Sequence, residues 1–188
     1  YGGPNDDTIF GADGNDLIYS GPGQNRVYGG DGDDLIIGGH GGNGLGGGPG
    51  NDTIWGGYGN DTIWGTGGDD LIYGVRGNNE LWGGPGHDTI HGGSGHDVIG
   101  GGAGNDFVYG WEGNDTIWGG PGDDRMWGGA GADVFVFYRD CDINRIMDFD
   151  PAEGDRLHLS AGLWRGAGNL TPAQVVARYG SINEYGNL

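Results

Sequence analysis

The chain of 188 residues has no lysine and a single cysteine, Cys141. One cysteine excludes an intrachain disulfide, so an extracellular chain of this kind needs a metal staple in its place. Eight arginines stand against 27 acidic residues, and the net charge of -19 excludes nucleic acid as a partner because its phosphates would be repelled. No apolar run is long enough to span a membrane, and no signal peptide opens the chain. H-E-x-x-H, G-x-S-x-G and P-loop sequences are also absent, and Cys141 has no flanking motif, so no enzyme activity is expected of this segment.

What the sequence does contain is a nine-residue phrase that recurs fifteen times from Gly2 to Val136 without insertion or deletion. Clear copies are GGPGNDTIW at Gly47–Trp55, GGYGNDTIW at Gly56–Trp64 and GGAGNDFVY at Gly101–Tyr109. A fixed short period of this kind determines the architecture ahead of any local assignment. The first four positions are rich in glycine, which supplies positive φ, so G-G-x-G predicts a tight turn closed by the acid or amide at the sixth position. The x-U-x tail predicts a three-residue strand. Its eighth-position residues, from Ile9, Ile18, Val27 and Ile36 to Ile117, Met126 and Phe135, share one side of the pleat and form the core, so the seventh and ninth positions point outward.

The phrase resembles the G-G-x-G-x-D-x-U-x motif of the RTX repeats, the haemolysin-type calcium-binding β-roll, over 135 of the 188 residues. The resemblance implies an all-β fold: a right-handed parallel β-roll, or β-solenoid, with two nonapeptides per turn and calcium ions in rows along both edges. It also implies a bacterial protein exported by type I secretion, hence an extracellular or cell-surface location. Fifty glycines and seven prolines would suggest disorder in an aperiodic chain, and disorder remains the expectation for the metal-free state. Glycine loses much backbone entropy on folding, and one inward residue per strand is a thin core to offset it.

The candidate metal ligands are the sixth-position aspartates Asp7, Asp16, Asp34, Asp52, Asp61, Asp70, Asp88, Asp97, Asp106, Asp115, Asp124 and Asp133. Stacked carboxylates need cations between them. If turn carbonyls point alternately up and down, each ion gains two from each neighbouring turn and two side-chain oxygens, an oxygen shell suited to calcium. Gly84, Gly86, Gly102, Gly104, Gly120 and Gly122 are the carbonyl donors named on this basis. Copies on one edge are two apart, so the even edge holds an acid at every rung from Asp16 to Asp124, while the odd edge is interrupted by Asn25, Asn43 and Asn79. The even edge is therefore expected to be full and the odd edge weak or empty around Asn25 and Asn43. Asp6, Asp13, Asp31, Asp33, Asp69 and Asp123 are taken as solvated surface. In the first copy Asn5 stands where glycine is usual, at a turn that a left-handed asparagine would tolerate.

His87, His91 and His96 invite a zinc reading, but the nonad phase places His87 and His96 on opposite edges. No threonine column suited to ice binding exists in the turns. The ninth position is often aromatic, as at Phe10, Tyr19, Tyr28, Trp55, Trp64, Tyr73, Trp82, Tyr109, Trp118 and Trp127. Such rings stack in ladders, and they also suit a polysaccharide or a protein partner. The even face, with Leu17, Leu35, Leu71 and Phe107 beside its rings, is the expected site of self-association or of a neighbouring domain.

Residues 137–188 are expected to form a C-terminal cap, after a roll of residues 1–136. Ile146–Phe149 and Leu157–Leu159 read as short strands around a turn at Pro151–Gly154. Thr171–Tyr179 reads as a short helix stopped by Gly180. A cap protects the open parallel edge. The stretch DFDPAEGDRLHLS resembles the segments that often succeed repeat arrays in this family. The chain as a whole is expected to be a piece of a longer protein whose secretion signal lies outside it.

Overall fold

In the computed structural model, which describes residues 1–138 and 143–160, the chain is a parallel β-solenoid of about eight turns. Each turn spans two nonapeptides, so sequence neighbours fall in opposite sheets and every strand pairs with the strand two further on. The tails of the eight odd copies, with one later strand, build a nine-stranded sheet that begins at Thr8–Asp13, and the tails of the seven even copies, with one later strand, build an eight-stranded one that begins at Leu17–Tyr19. Register advances by eighteen residues without slippage, as in the series Leu35, Thr53, Leu71, Thr89, Phe107 and Arg125. The phase is fixed because a slip of one residue would turn the inward Ile and Val side chains to solvent.

The eighth-position residues from Ile36 to Phe135 are buried and join Ile18, Val27 and Ile146 in one continuous core. Even Leu45, between Gly44 and Gly46, is fully buried. The strands are longer than the x-U-x tail predicts. Most run six residues, as in Thr53–Tyr58, and take in the first three positions of the next copy. The first-position residue, glycine in every copy but the third, where it is Ser20, sits where a side chain would crowd the aspartate five residues on or the carbonyl of the next turn, and the turn is reduced to the residues around the fourth to sixth positions.

Position two, already inside the strand, requires positive φ in every copy, and four copies meet it without glycine: Ala12 at 84°, Thr66 at 97°, Val75 at 81° and Trp111 at 81°. Asn5, by contrast, is not left-handed. Gly14, which holds the same position in the first turn of the even edge, is left-handed at φ 106° without the steric cost that the Cβ of Asn5 would carry there. A β-branched residue at φ above zero is strained by about 1–2 kcal/mol.

Outward rings stack as the period dictates. On the even sheet Trp55, Tyr73, His91, Tyr109 and Trp127 form an unbroken ladder with centroids 4.2, 4.8, 4.8 and 4.4 Å apart. The nonad period ends at Val136 but the sheets do not. Arg145–Ile146 pairs with the even strand Arg125–Ala130, and Arg156–Leu159 pairs with the odd strand Val134–Phe137. The two expected cap strands thus lie in opposite sheets, each as a further rung. The expected helix at Thr171–Tyr179 and Cys141 lie outside the described residues.

Val75→Gly removes the strain at position two and is expected to raise the thermal midpoint of the folded protein by an amount equivalent to about 1 kcal/mol. Gly93→Val, its neighbour in register, places a Cβ 2.7 Å from the Val75 carbonyl carbon and is expected to lower it. Differential scanning calorimetry of the two variants measures both signs.

Candidate metal sites along the two edges

Each sixth-position side chain reaches back along the stack. On the even edge Asp34 Oδ1 accepts the backbone N–H of Asp16 at 2.8 Å, and Asp52, Asp70, Asp88, Asp106 and Asp124 repeat the contact at 2.8–2.9 Å. The odd edge runs the same way through Asn25, Asn43, Asp61, Asn79, Asp97, Asp115 and Asp133. One oxygen of each carboxylate is thereby fixed, and the other is aimed away from the amide. The Oδ2 atoms of Asp7, Asp16, Asp34, Asp52, Asp61, Asp70, Asp88, Asp97, Asp106, Asp115 and Asp133 are buried and have no hydrogen-bond partner. A buried charged oxygen without a partner costs several kcal/mol, so such a row demands a cation or a proton.

Backbone carbonyls face the same spaces. A Cβ on Gly56 would sit 2.5 Å from Asp61 Oδ2 and 2.9 Å from the carbonyl oxygen of Gly74, and one on Gly92 would sit 2.5 Å from Asp97 Oδ2 and 2.8 Å from that of Gly110. Carbonyls alternate in direction along the turn. Those at positions two and four point to the following turn: the oxygens of Gly84 and Gly86 lie where side chains on Gly102 and Gly104 would be, and those of Gly102 and Gly104 where side chains on Gly120 and Gly122 would be. Those at positions one and three point to the preceding turn, as the bond from Gly86 N–H to the Ala103 carbonyl illustrates. Carboxylate and carbonyl oxygens with no donor between them are a hard-cation environment. No group of three His, Cys, Asp or Glu side chains converges among the described residues, so a site here must draw most of its ligands from backbone.

The odd edge differs where asparagine replaces aspartate. Asn25 Nδ2 donates to the carbonyls of Gly21 and Gly23, Asn43 Nδ2 to Gly41, and Asn79 Nδ2 to Gly77. At Ser20, which replaces a first-position glycine, the hydroxyl donates to the Gly38 carbonyl and accepts from Asn25 Nδ2. In these turns side-chain N–H and O–H groups supply the positive ends that the all-acid turns lack.

Two sets of residues are not evident from the repeat alone. The first continues both ladders past the regular array: Asn144 Oδ1 accepts Asp124 N–H and Asp155 Oδ1 accepts Asp133 N–H. Asn144 Nδ2 also meets the Gly120 carbonyl at 3.4 Å, and Asp155 Oδ2 accepts Asp150 N–H, so both ladders end in groups supplied with hydrogen bonds. Their signal is the surviving tail N-R-I-M at Asn144 and D-R-L-H at Asp155, spaced 20 and 22 residues on instead of 18. The second set is at position five, where an outer ladder runs in the opposite sense. Asp33, Asn51 and Asp69 each accept the N–H eighteen residues further on, and His87 and His96 do so through Nδ1. Asp6 and Asp123 act in the same way. These acids are turn caps, not merely solvated surface. His91 Nδ1 accepts from Trp111 Nε1, so the three histidines serve three separate contacts.

Burial, the first cause at each site, raises the aspartate pKa values from 3.8 to about 6 at Asp52, Asp61, Asp88, Asp97 and Asp133 and to about 7 at Asp70, Asp106 and Asp115. Neighbouring carboxylates raise Asp70, Asp106 and Asp115 further. A folded pKa above the unfolded one means that the metal-free fold holds protons that the unfolded chain has shed. Its stability is therefore greatest below about pH 4 and falls as pH rises to about 7. In calcium-stripped buffer the β signal in circular dichroism is expected to be stronger at pH 4.5 than at pH 8. A stronger signal at pH 8 would mean that the Oδ2 atoms have another partner.

The profile of a family described as the RTX calcium-binding nonapeptide repeat (4 copies) matches residues 1–36, 19–45, 46–81, 73–108, 82–117 and 100–135. No curated protein matches the chain. Repeats of this family occur in secreted bacterial proteins. With stacked aspartate ladders of the kind found in calcium-binding β-rolls and a matched span reaching from residue 1 to residue 135, the chain belongs to the RTX calcium-binding nonapeptide repeat family.

Proposed function

We propose that the chain is a calcium-dependent folding module of a secreted bacterial protein, which stays unfolded where calcium is scarce and becomes a rigid roll outside the cell. The observation that carries this is the row of buried Oδ2 atoms with no partner on either edge. Bound calcium supplies the positive charge and the oxygen-rich coordination that those atoms lack. The residues that hold it are the ladder aspartates, with the carbonyls of Gly84, Gly86, Gly102, Gly104 and their equivalents in other turns. Asp70 and Asp88, with raised pKa values, release protons as the ion enters, so affinity rises with pH towards about 7. A polypeptide with 50 glycines and a one-residue-deep core has little else to offset its chain entropy, so metal binding and folding are one event.

The edges are not equivalent in this reading. The even edge, acidic from Asp16 to Asp124, holds ions throughout. On the odd edge the amides of Asn25, Asn43 and Asn79 already satisfy the turn carbonyls, and fewer ions enter. Gly120 and Gly122 face the end of the even ladder, where the amide of Asn144 meets the Gly120 carbonyl, and they contribute less than the inner turns.

Calcium titration at pH 7.5 is expected to convert a coil spectrum to a β spectrum with a midpoint on the order of 0.1–1 mM. Asp70→Asn should raise the midpoint and lower the number of ions counted by native mass spectrometry. Asn43→Asp should add to that number. A full β spectrum in excess chelator at pH 7.5, or an unchanged ion count in both variants, overturns the reading.

A second function is surface recognition by the outward rings. The even ladder is stacked on itself from Trp55 to Trp127, which gives those rings a structural role as well as an outward face for a second copy or an adjoining domain. The more specific opening is on the odd sheet.

A further inference from the structure

The odd sheet lacks two rungs in its ninth-position column, at Gly46 and at Gly100. At Gly100 the flanking rings close the gap. Trp82 and Trp118 come within 5.0 Å at a tilt of 59°, and a Cβ on Gly100 would lie 2.8 Å from the Trp82 ring. At Gly46 they do not. Tyr28 and Trp64 are its register partners on either side, they are 50% and 47% exposed, and no ring contact joins them among the described residues. A Cβ on Gly46 would meet nothing nearer than the Val27 carbonyl oxygen at 3.8 Å and Tyr28 Cδ1 at 4.0 Å. Two strand spacings separate the flanking residues by about 9.6 Å, twice the ring spacing of a filled ladder, which leaves room for one flat ring between two aromatic faces.

The slot does not end there. In the fifth copy the seventh position is Gly44 as well, so neither outward position of this strand's tail carries a side chain, and the edge of the Trp64 ring lies 4.0 Å from where a Cβ on Gly44 would be. Towards the edge of the sheet the slot opens into a depression of about 370 Å³, whose walls include Asp6, Thr8, Gln24 and Arg26 beside Gly42 and Gly44. The trough therefore has aromatic walls at one end and a carboxylate, a hydroxyl, an amide and a guanidinium at the other. Flat apolar faces next to forked donors and acceptors match a ring with C–H faces and hydroxyl edges.

We propose that this trough binds a neutral polysaccharide, with one pyranose ring held between Tyr28 and Trp64 and the next units running over Gly44 to hydrogen-bond with the polar end. An acidic glycan is disfavoured by the carboxylate of Asp6 at the rim. A peptide strand is disfavoured because the floor strand Gly44–Pro49 is already hydrogen-bonded to neighbours on both sides and offers no free edge to extend. The proposal rests on the calcium-loaded fold proposed for this chain and adds to it a recognition surface distinct from the metal edges.

The decisive variant is Gly46→Tyr, which supplies the missing rung. Tyrosine occupies the same position at Tyr28, and the site at Gly46 is open, so the fold should be retained. Cellohexaose, laminarihexaose and maltohexaose serve as neutral probes, hexagalacturonate as the acidic one and a tryptophan-containing peptide as the protein surrogate, each titrated calorimetrically in calcium. At least one neutral hexasaccharide is expected to bind, and Gly46→Tyr or Trp64→Ala should weaken it by roughly tenfold or more. Circular dichroism in calcium is recorded for each protein, so failure to fold is read as failure of the calcium reading and not of the trough. If the wild-type fold is intact and no neutral probe binds, if only the acidic probe or the peptide binds, or if Gly46→Tyr binds as well as the wild type, the proposal is wrong.

Discussion

The rest of the structure depends on a carboxylate that is half used. Asp34, Asp52, Asp70, Asp88 and Asp106 on one edge, and Asp61, Asp97, Asp115 and Asp133 on the other, each give one oxygen to the backbone of the neighbouring turn, which fixes the side chain inside the roll, and that same bond leaves the second oxygen buried and unmatched. A surface aspartate would turn that oxygen to water. Here the first-position glycine packs against it, and the next turn closes over it, so the demand for positive charge is built into the backbone geometry. Fold and demand for positive charge are therefore one property of the repeat.

Side chains elsewhere are arranged around that constraint. The inward Ile, Val and Leu residues fill the space between sheets but only one layer deep. Position-five acids, amides and histidines tie successive turns on the outside, with the hydrogen bonds running opposite to those of the inner ladder. Where the inner rung is asparagine, the amide N–H groups satisfy carbonyls directly. The chain thus contains two solutions to one electrostatic problem, and their distribution makes its two edges chemically unequal.

Much of the fold was legible because the period is strict. Ile54, Ile72 and Ile90 had to face one way once their spacing was known, and eighteen-residue register followed from two copies per turn. The candidate site was legible in its aspartates and in its asparagine gaps. Local rules failed where strand passes into turn. Position two is left-handed even at Val75 and Trp111, Asn5 is not left-handed, and the strand runs on through glycines that suggested a turn. Position two keeps its conformation in every copy, Ala12 in the first turn included, because the path of the backbone from strand into turn imposes it whatever the residue type.

The sequence by itself determined the solenoid, its inward row, the rows of acids and the interruptions among them, since all derive from a residue type recurring at a fixed interval. Only the tertiary structure decided which carboxylate oxygen is left over, that Asn144 and Asp155 extend the ladders beyond the repeat, and that the missing ring closes at Gly100 but stays open at Gly46. The physical reason is that these outcomes depend on contacts between turns. Periodicity specifies which residues are stacked, whereas hydrogen-bond direction and ring tilt are settled only when the stack is built.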